Sequence, residues 1–315
     1  LCERANFVSK RSRRRSTGNW PTLIALLIIA CAAGWYLLRP LAHQRTTVAP
    51  NLAAGTASTP PAAVEQPTQV PTTLPTASSA TPTATPTPSV SVPNATGPKL
   101  ALIVDDCGQW LDIERGFIAL PVPLTLSVLP HVHGTEVIAQ EAHDAGKGVM
   151  LHLPMEPVSE IYPGPGEVKT SMSDAQVTAQ VQDDLAQVPF VQGVNNHEGS
   201  KASADSRVMH DVMQVLAQHG QLFFIDSRTS SVSVGAAQAH EADIPAASRD
   251  VFLDNRASVD YTEAQLREAA AIAKRTGSAI AIGHPRPTTL AAVRAMIPEL
   301  QAQGIQFVLA GTLTH

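Results

Sequence analysis

Residues 98–315 are expected to form one α/β domain, a distorted seven-stranded (β/α) barrel. Three observations predict it. Short apolar runs alternate strictly with stretches whose apolar residues recur every three or four positions, the pattern of βα units and a parallel sheet. Seven such runs in a single domain suit a barrel better than an open, doubly wound sheet. No glycine-rich phosphate loop follows the first run, which argues against a nucleotide-binding fold.

From the N-terminus, residues 1–19 make a basic tail with the cluster KRSRRR at 10–15. An uncharged run of 19 residues, 20–38, follows and closes on Arg39 and Pro40. Its length suits a bilayer span, and Trp20, Trp35 and Tyr36 sit near its ends as interfacial anchors. Positive charge on the N-terminal side keeps that side cytoplasmic. The expectation is therefore a single-pass anchor in the inner membrane, with the rest of the chain in the periplasm or outside the cell. The approach to Cys31 through Ile28, Ile29 and Ala30 also resembles a lipoprotein processing site, but the apolar run continues past it as an uncleaved anchor should. Residues 39–97 collapse to Thr, Pro, Ala, Ser and Val around a TPTATPTP repeat, too little apolar surface to offset chain entropy. A disordered but semi-rigid spacer is expected there.

Charge narrows the partners. Eight of the 22 basic residues, against one of the 27 acidic ones, precede position 46, leaving 14 basic and 26 acidic residues, a net charge of −12. So acidic a body is a poor binder of nucleic acid, which needs clustered Lys and Arg. Of the three cysteines only Cys107 falls in the expected domain, so no disulfide framework is possible there, and Cys107 itself reads as a small packed residue.

The first strand is KLALIVDDCG at 99–108: five apolar residues, two aspartates and a turn glycine. Neighbouring strand residues point to opposite faces, so Asp105 and Asp106 can share a task only if the backbone turns at once, as Gly108 permits. Further strands are expected at LTLSVLPH (124–131), GVMLHLPM (148–155), VQGVNNH (191–197), QLFFIDSRT (221–229), SAIAIGHP (278–285) and IQFVLAG (305–311). Helices are expected at 135–145, 174–187, 206–219, 262–275 and 288–303, with Ser173, Asp205 and the Tyr261–Thr262 pair as start signals. Polar residues then fall at the C-terminal ends of the runs. Asp105 and Asp106 end the first, His131 and His133 the second, His152 and Glu156 the third, Asn196 and His197 the fourth, Asp226 and Arg228 the fifth, and His284 the next to last. In a parallel barrel these ends share one face, where the βα loops assemble a site. His143, His210, His219 and His240 fall in helical or loop stretches and read as solvated.

Two adjacent carboxylates cannot be buried together unless one is protonated or both meet a cation. Carboxylates and imidazoles converging on one point suit Zn²⁺ or another divalent first-row ion, so a divalent metal, zinc first, is the expected cofactor. Asn196, Asp226 and Arg228 are candidates for substrate binding, although such residues equally fix loops through backbone hydrogen bonds.

IVDDCG resembles the opening motif of the polysaccharide deacetylase superfamily, and from residue 99 to its end the chain is similar to that superfamily's divergent branch in bacterial envelopes. GKGVMLHLPMEP resembles its second motif, with His152 in the first histidine place, Glu156 in the second and Pro157 after it; AIAIGHP with a helix behind it resembles the last. GVNNHEGS and FFIDSRT resemble segments of the divergent branch. The resemblance implies Asp105 as general base, Asp106 and His152 as metal ligands and His284 as general acid. Glu156 stands where a second histidine is usual, and Asn195, Asn196 and His197 replace an Arg-Pro segment. His197 is therefore expected as a further nitrogen ligand, with Glu156 an oxygen ligand or a partner to an imidazole. The implied activity is metal-assisted removal of an N-acetyl or O-acetyl group from an envelope glycan, peptidoglycan or exopolysaccharide. The alternative is a membrane-tethered glycan-binding or scaffold protein on the same barrel without catalysis. A phosphohydrolase would want more cations around the carboxylates, where only Arg228, Arg249 and Arg286 are candidates.

Overall fold

The computed structural model describes residues 97–315. The basic tail, the apolar run at 20–38 and the spacer up to residue 96 lie outside the described residues. Among the described residues no helix is long and apolar enough to cross a membrane.

The strands are β1 (Lys99–Cys107), β2 (Thr125–Val128), β3 (Gly148–Met155), β4 (Gly193–Glu198), β5 (Phe223–Asp226), β6 (Ala246–Ser248), β7 (Val251–Phe252), β8 (Ser278–Gly283) and β9 (Gln306–Val308). Interleaved with them run helices α1 (Leu111–Ile118), α2 (Thr135–Asp144), α3 (Asp174–Gln187), α4 (Ser206–His219), α5 (Gly235–Glu241), α6 (Val259–Thr276) and α7 (Pro287–Ala302). One all-parallel sheet takes the order β6-β5-β4-β3-β2-β1-β8-β7, with β9 also pairing with β1. The described sheet therefore has nine strands, not the seven expected.

Nor is its ladder closed. β6 and β7 stand at opposite ends of the order and do not pair with each other. Yet only Arg249 and Asp250 separate them in the chain, and at 3.8 Å per Cα step the two edges lie within about 11 Å. The Arg249 N–H donates to the Asp226 carbonyl at 3.0 Å and the Asp250 N–H to the Ile280 carbonyl at 2.9 Å. Two loop residues thus stitch the edges of a curled sheet, and the fold is a half-barrel rather than a complete (β/α) barrel.

Helix starts follow local chemistry. Ser173 makes a capping box with Gln176 at α3, and the Asp205 carboxylate caps α4, both as expected. α6 begins earlier than its expected signal, because the Ser258 hydroxyl accepts from the Tyr261 N–H.

The sheet separates two cores. Leu100, Leu102 and Val104 of β1 pack beneath the helices, while Ala101 and Ile103 join Met150, Phe223, Ile225, Ile280 and Ile282 inside the curl. Each of these side chains larger than alanine, when fully buried, contributes about 1.5–3 kcal/mol. A period of two then carries the inward face along the strands to Asp105, His152, Asn195 and His197, and just past the ends of β5 and β8 to Ser227 and His284.

Glu114 anchors the turn that leaves β1. It is fully buried, and its Oε1 accepts from the backbone N–H groups of Gly108, Gln109 and Trp110 at 3.0, 3.1 and 2.8 Å. Glu114→Ala would strand three donors and is expected to lower stability by about 3 kcal/mol, read as a shift in the urea midpoint. Glu114→Gln keeps the shape and should cost less than half as much. An unchanged midpoint in the alanine variant would show that the turn holds without this carboxylate.

Candidate functional site

The site begins with an irregularity in β1. Its register with β2 slips between Val104 and Cys107, and Asp106 is left-handed, with φ of 59°. Strand alternation would send Asp106 to the helix side with Leu102 and Val104; the bulge and the left-handed turn bring it inward beside Asp105. The expectation assigned that turn to Gly108, which also has a positive φ, but the reversal starts at Asp106 itself. A left-handed residue other than glycine costs roughly 1–2 kcal/mol, least for Asp and Asn, and such strain gathers at working sites.

Asp106 Oδ1 lies 3.2 Å from His152 Nε2 and 3.0 Å from His197 Nδ1, and the two ring nitrogens are 3.1 Å apart. The carboxylate oxygen is buried but accepts no well-aligned hydrogen bond. These three atoms could hold a metal ion. With bonds of about 2.0–2.1 Å, neighbouring ligands in an octahedral or tetrahedral shell stand roughly 2.9–3.4 Å apart, so the spacing fits a first-row divalent cation. Burial works to raise the Asp106 carboxyl, but the two imidazoles outweigh it and hold it well below the usual carboxylate range. His152 is desolvated, yet Asp105 and Asp106 push its pKa up.

Asn195 organises the layer behind. Its Nδ2 donates to Asp105 Oδ1 at 2.9 Å and to Ser227 Oγ at 3.1 Å, while its Oδ1 accepts from Ser127 Oγ at 2.5 Å and from His152 Nδ1 at 2.8 Å. All four hydrogen-bonding positions of the amide are used. Because ionised Asp105 can only accept, the amide nitrogen must face it; the oxygen then faces His152 and keeps a proton on Nδ1, so that in the neutral ring Nε2 presents its lone pair on the Asp106 side, as a metal ligand must. Burial pushes the Asp105 carboxyl above its ordinary range, against the pull of His152, His284 and Asn195.

On the other side, His284 Nδ1 is 2.9 Å from Asp254 Oδ1, and the second Asp254 oxygen accepts from the His284 N–H and the Thr289 hydroxyl, each at 2.8 Å. Desolvation lowers the His284 pKa, but the Asp254 hydrogen bond and the charges of Asp106, Asp254 and Asp105 raise it overall. Its Nε2 looks across to Asp106 Oδ2 at 3.8 Å.

Asp105, Asp106, His152, Asn196, His197 and His284 all line one cleft of about 480 Å³. Three other expected residues do not enter it. Glu156 spends its oxygens on Lys201 Nζ at 2.7 Å and on the Thr170 N–H and hydroxyl at 2.7 and 2.6 Å, pinning the loop beyond β3. Asp226 points to the helix side, where it accepts from the Arg228 N–H and the Ser233 hydroxyl, and Arg228 is the exposed, left-handed residue of that turn. Alternation explains both, since Ile225 and Ser227 take the inward positions. Asn196 reaches the cleft but also ties loops together through the Ser227 N–H, Glu198 carbonyl and Thr229 hydroxyl. His131 turns away to Asp183 and Asp184 of α3 at 3.2 and 3.0 Å, and His133 is exposed. Cys107 is packed and buried, as expected.

Asp254 and the hub role of Asn195 were not foreseen. Asp254 follows β7, a strand of two residues that shows no periodicity. The NN pair was visible, but only the inward register separates Asn195 from Asn196.

A family model described as a divergent polysaccharide deacetylase matches residues 102–314. The chain is 37% identical over 215 residues to an uncharacterised protein of Haemophilus influenzae, covering 68% of this chain and 76% of that one. It is 32% identical over 217 residues to YibQ, an uncharacterised protein of Escherichia coli, covering 69% and 67%. The crystal structure of an uncharacterised protein from Agrobacterium tumefaciens C58 shares the fold with a TM-score of 0.67 at 24% identity, covering 70% of this chain and 90% of that one. The matched span runs from within β1 almost to the last residue, taking in all the remaining strands of the curled sheet, and by it the chain belongs to the divergent polysaccharide deacetylase family.

Proposed function

We propose that the domain is a metal-dependent hydrolase that removes acetyl groups from a cell-envelope polysaccharide. One observation carries this reading: a cleft that offers a cation-sized donor trio also holds a carboxylate, Asp105, and an imidazole, His284, that the trio does not require. A site meant only to bind has no need of that spare base and acid.

Asp106 Oδ1, His152 Nε2 and His197 Nδ1 would hold the ion, zinc being the best match to two imidazoles and a carboxylate. When bound, such an ion polarises the acyl carbonyl and acidifies the attacking water. Asp105 takes the water's proton at Oδ2, the oxygen Asn195 leaves free. Its neighbour divides the labour, since Asp106 is the carboxylate held ionised and Asp105 the one burial makes more basic. His284, oriented through Nδ1 by Asp254, delivers a proton from Nε2 to the departing nitrogen or oxygen.

A polymeric substrate is supported by the surroundings. Two smaller depressions, of about 250 and 230 Å³, meet the cleft at Asp106. One is edged by Tyr162 and the other by Trp110, side chains left 67% and 48% exposed, and sugar rings stack on such faces. A single-pass inner-membrane anchor at 20–38 and a spacer to 97 would present this face to peptidoglycan or exopolysaccharide on the periplasmic side; composition supports that placement. The rival, a tethered glycan binder without turnover, draws on Glu156 standing in a histidine's place. His197 supplies the nitrogen that Glu156 does not.

Elemental analysis of the purified protein should find about one divalent ion per chain. Asp106→Ala and His152→Ala should each weaken its retention at least tenfold, and unchanged content in both would overturn the ligand assignment. Asp105→Asn should keep the metal while acetate release falls by about 10²–10⁴-fold. Retention should also weaken as pH falls, because protons compete for His152, whose pKa is raised. Asp254→Asn removes interactions that keep His284 protonated, so the alkaline limb of kcat/KM should move to lower pH; a limb that stays in place would remove His284 as the acid.

A further inference from the structure

Basic side chains elsewhere in the described domain commonly find acids. Arg115, Lys169, Lys201, Arg207 and Arg267 all pair with carboxylates within 4.0 Å. Two arginines in the wall of the active cleft do not. Arg249 is held by carbonyl oxygens alone, its Nε donating to Ser227 at 2.8 Å and its Nη2 to Arg228 at 3.3 Å. Arg286 is held the same way, its Nη1 donating to the Asp254 carbonyl at 2.6 Å. Among the described residues no hydrogen bond uses Arg249 Nη1 or the Nε and Nη2 of Arg286. Carbonyls orient a guanidinium without neutralising it, so both forks are positioned and keep their full charge.

Their position is specific. The Arg249 guanidinium lies 5.0 Å over the Phe252 ring, and that ring packs against His284 at 5.2 Å. Arg286 follows His284 by two residues and rests on the backbone of Asp254, whose carboxylate orients the same imidazole. The two cations therefore stand one layer from the proposed proton donor, which on the deacetylase reading is the neighbourhood of the leaving group, the sugar. In a body that is otherwise strongly acidic, a local pair of free cations selects among sugars by charge.

We propose that Arg249 and Arg286 form a subsite for a carboxylate carried by the acetylated sugar, such as a lactyl ether or a uronic acid. This rests on the deacetylase reading for the orientation of the sugar, but not for the binding itself. A planar carboxylate matches the two-pronged guanidinium, which a neutral hexosamine cannot use. The phosphohydrolase reading placed these arginines around the scissile group; here they lie beside His284 and bind a substituent.

The test is titration calorimetry of the full chain carrying Asp105→Asn, which blocks turnover. Four N-acetylated oligosaccharides of equal length serve as probes: one bearing a lactyl carboxylate, its methyl ester, the unsubstituted chain and a 6-phosphate. The acid is expected to bind about tenfold or more tighter than its ester, with an advantage that shrinks as salt rises. Arg286→Gln, at an exposed position, should erase most of that advantage, and Arg249→Gln should do the same if it folds. Equal binding of acid and ester overturns the subsite, and so does tighter binding of the phosphate than of the carboxylate. Acetate release by the unmodified chain is scored separately. Release without acid preference leaves the hydrolase standing and the subsite refuted; acid preference without release from any probe does the reverse.

Discussion

The site depends on one backbone conformation, the left-handed turn at Asp106 inside the bulge that ends β1. A regular strand would aim Asp105 into the curl and Asp106 beneath the helices, where a carboxylate has no solvent and no cation. The bulge puts both carboxylates on one side. The strain it stores is met from outside the strand, by Glu114 gathering three backbone N–H groups of the following turn. A buried glutamate outside the cleft thereby anchors the turn that follows the aspartate within it.

Two adjacent carboxylates then need different fates, and their surroundings supply them. Asp106 faces two imidazoles and stays ionised; Asp105 is more deeply buried, and its strongest hydrogen bond comes from a neutral amide, so it stays basic. Asn195 couples the two halves. By donating to Asp105 and accepting from His152 it fixes an oxygen on one side and a tautomer on the other. An aspartate at 195 would repel Asp105, and an alanine would leave both groups without a partner.

Much of this was legible in the chain. KLALIVDDCG announces a buried strand ending in acids, and the inward register of β3, β4 and β8 follows from alternation, so the meeting of Asp105, His152, His197 and His284 could be read in advance, whereas Asp106 joins them only through the bulge. What could not be read came from elements too short to carry a period. β6 and β7 have three and two residues, and with them went Asp254, the seam at Arg249 and Asp250, and the open ladder. Asp226 and Glu156 were misplaced for another reason. Standing at a strand end does not suffice: the face decides for Asp226 and a local hydrogen-bonding offer decides for Glu156.

The proposed placing of a ligand at His197 rather than at Glu156 has a geometric logic. Four residues along an extended chain span roughly 13 Å, so a ligand four positions beyond His152 returns to the ion only if the loop after the strand folds back. A neighbouring parallel strand lies about 4.8 Å away along its whole length. β4 pairs with β3 in the register His152 to Asn195 and Pro154 to His197, so an imidazole at 197 is already beside the one at 152 with no loop required. Glu156 instead closes its own loop through Thr170 and Lys201. A ligand at 197 would sit on a rigid element, its position set by sheet hydrogen bonds rather than by the conformation of a long connection.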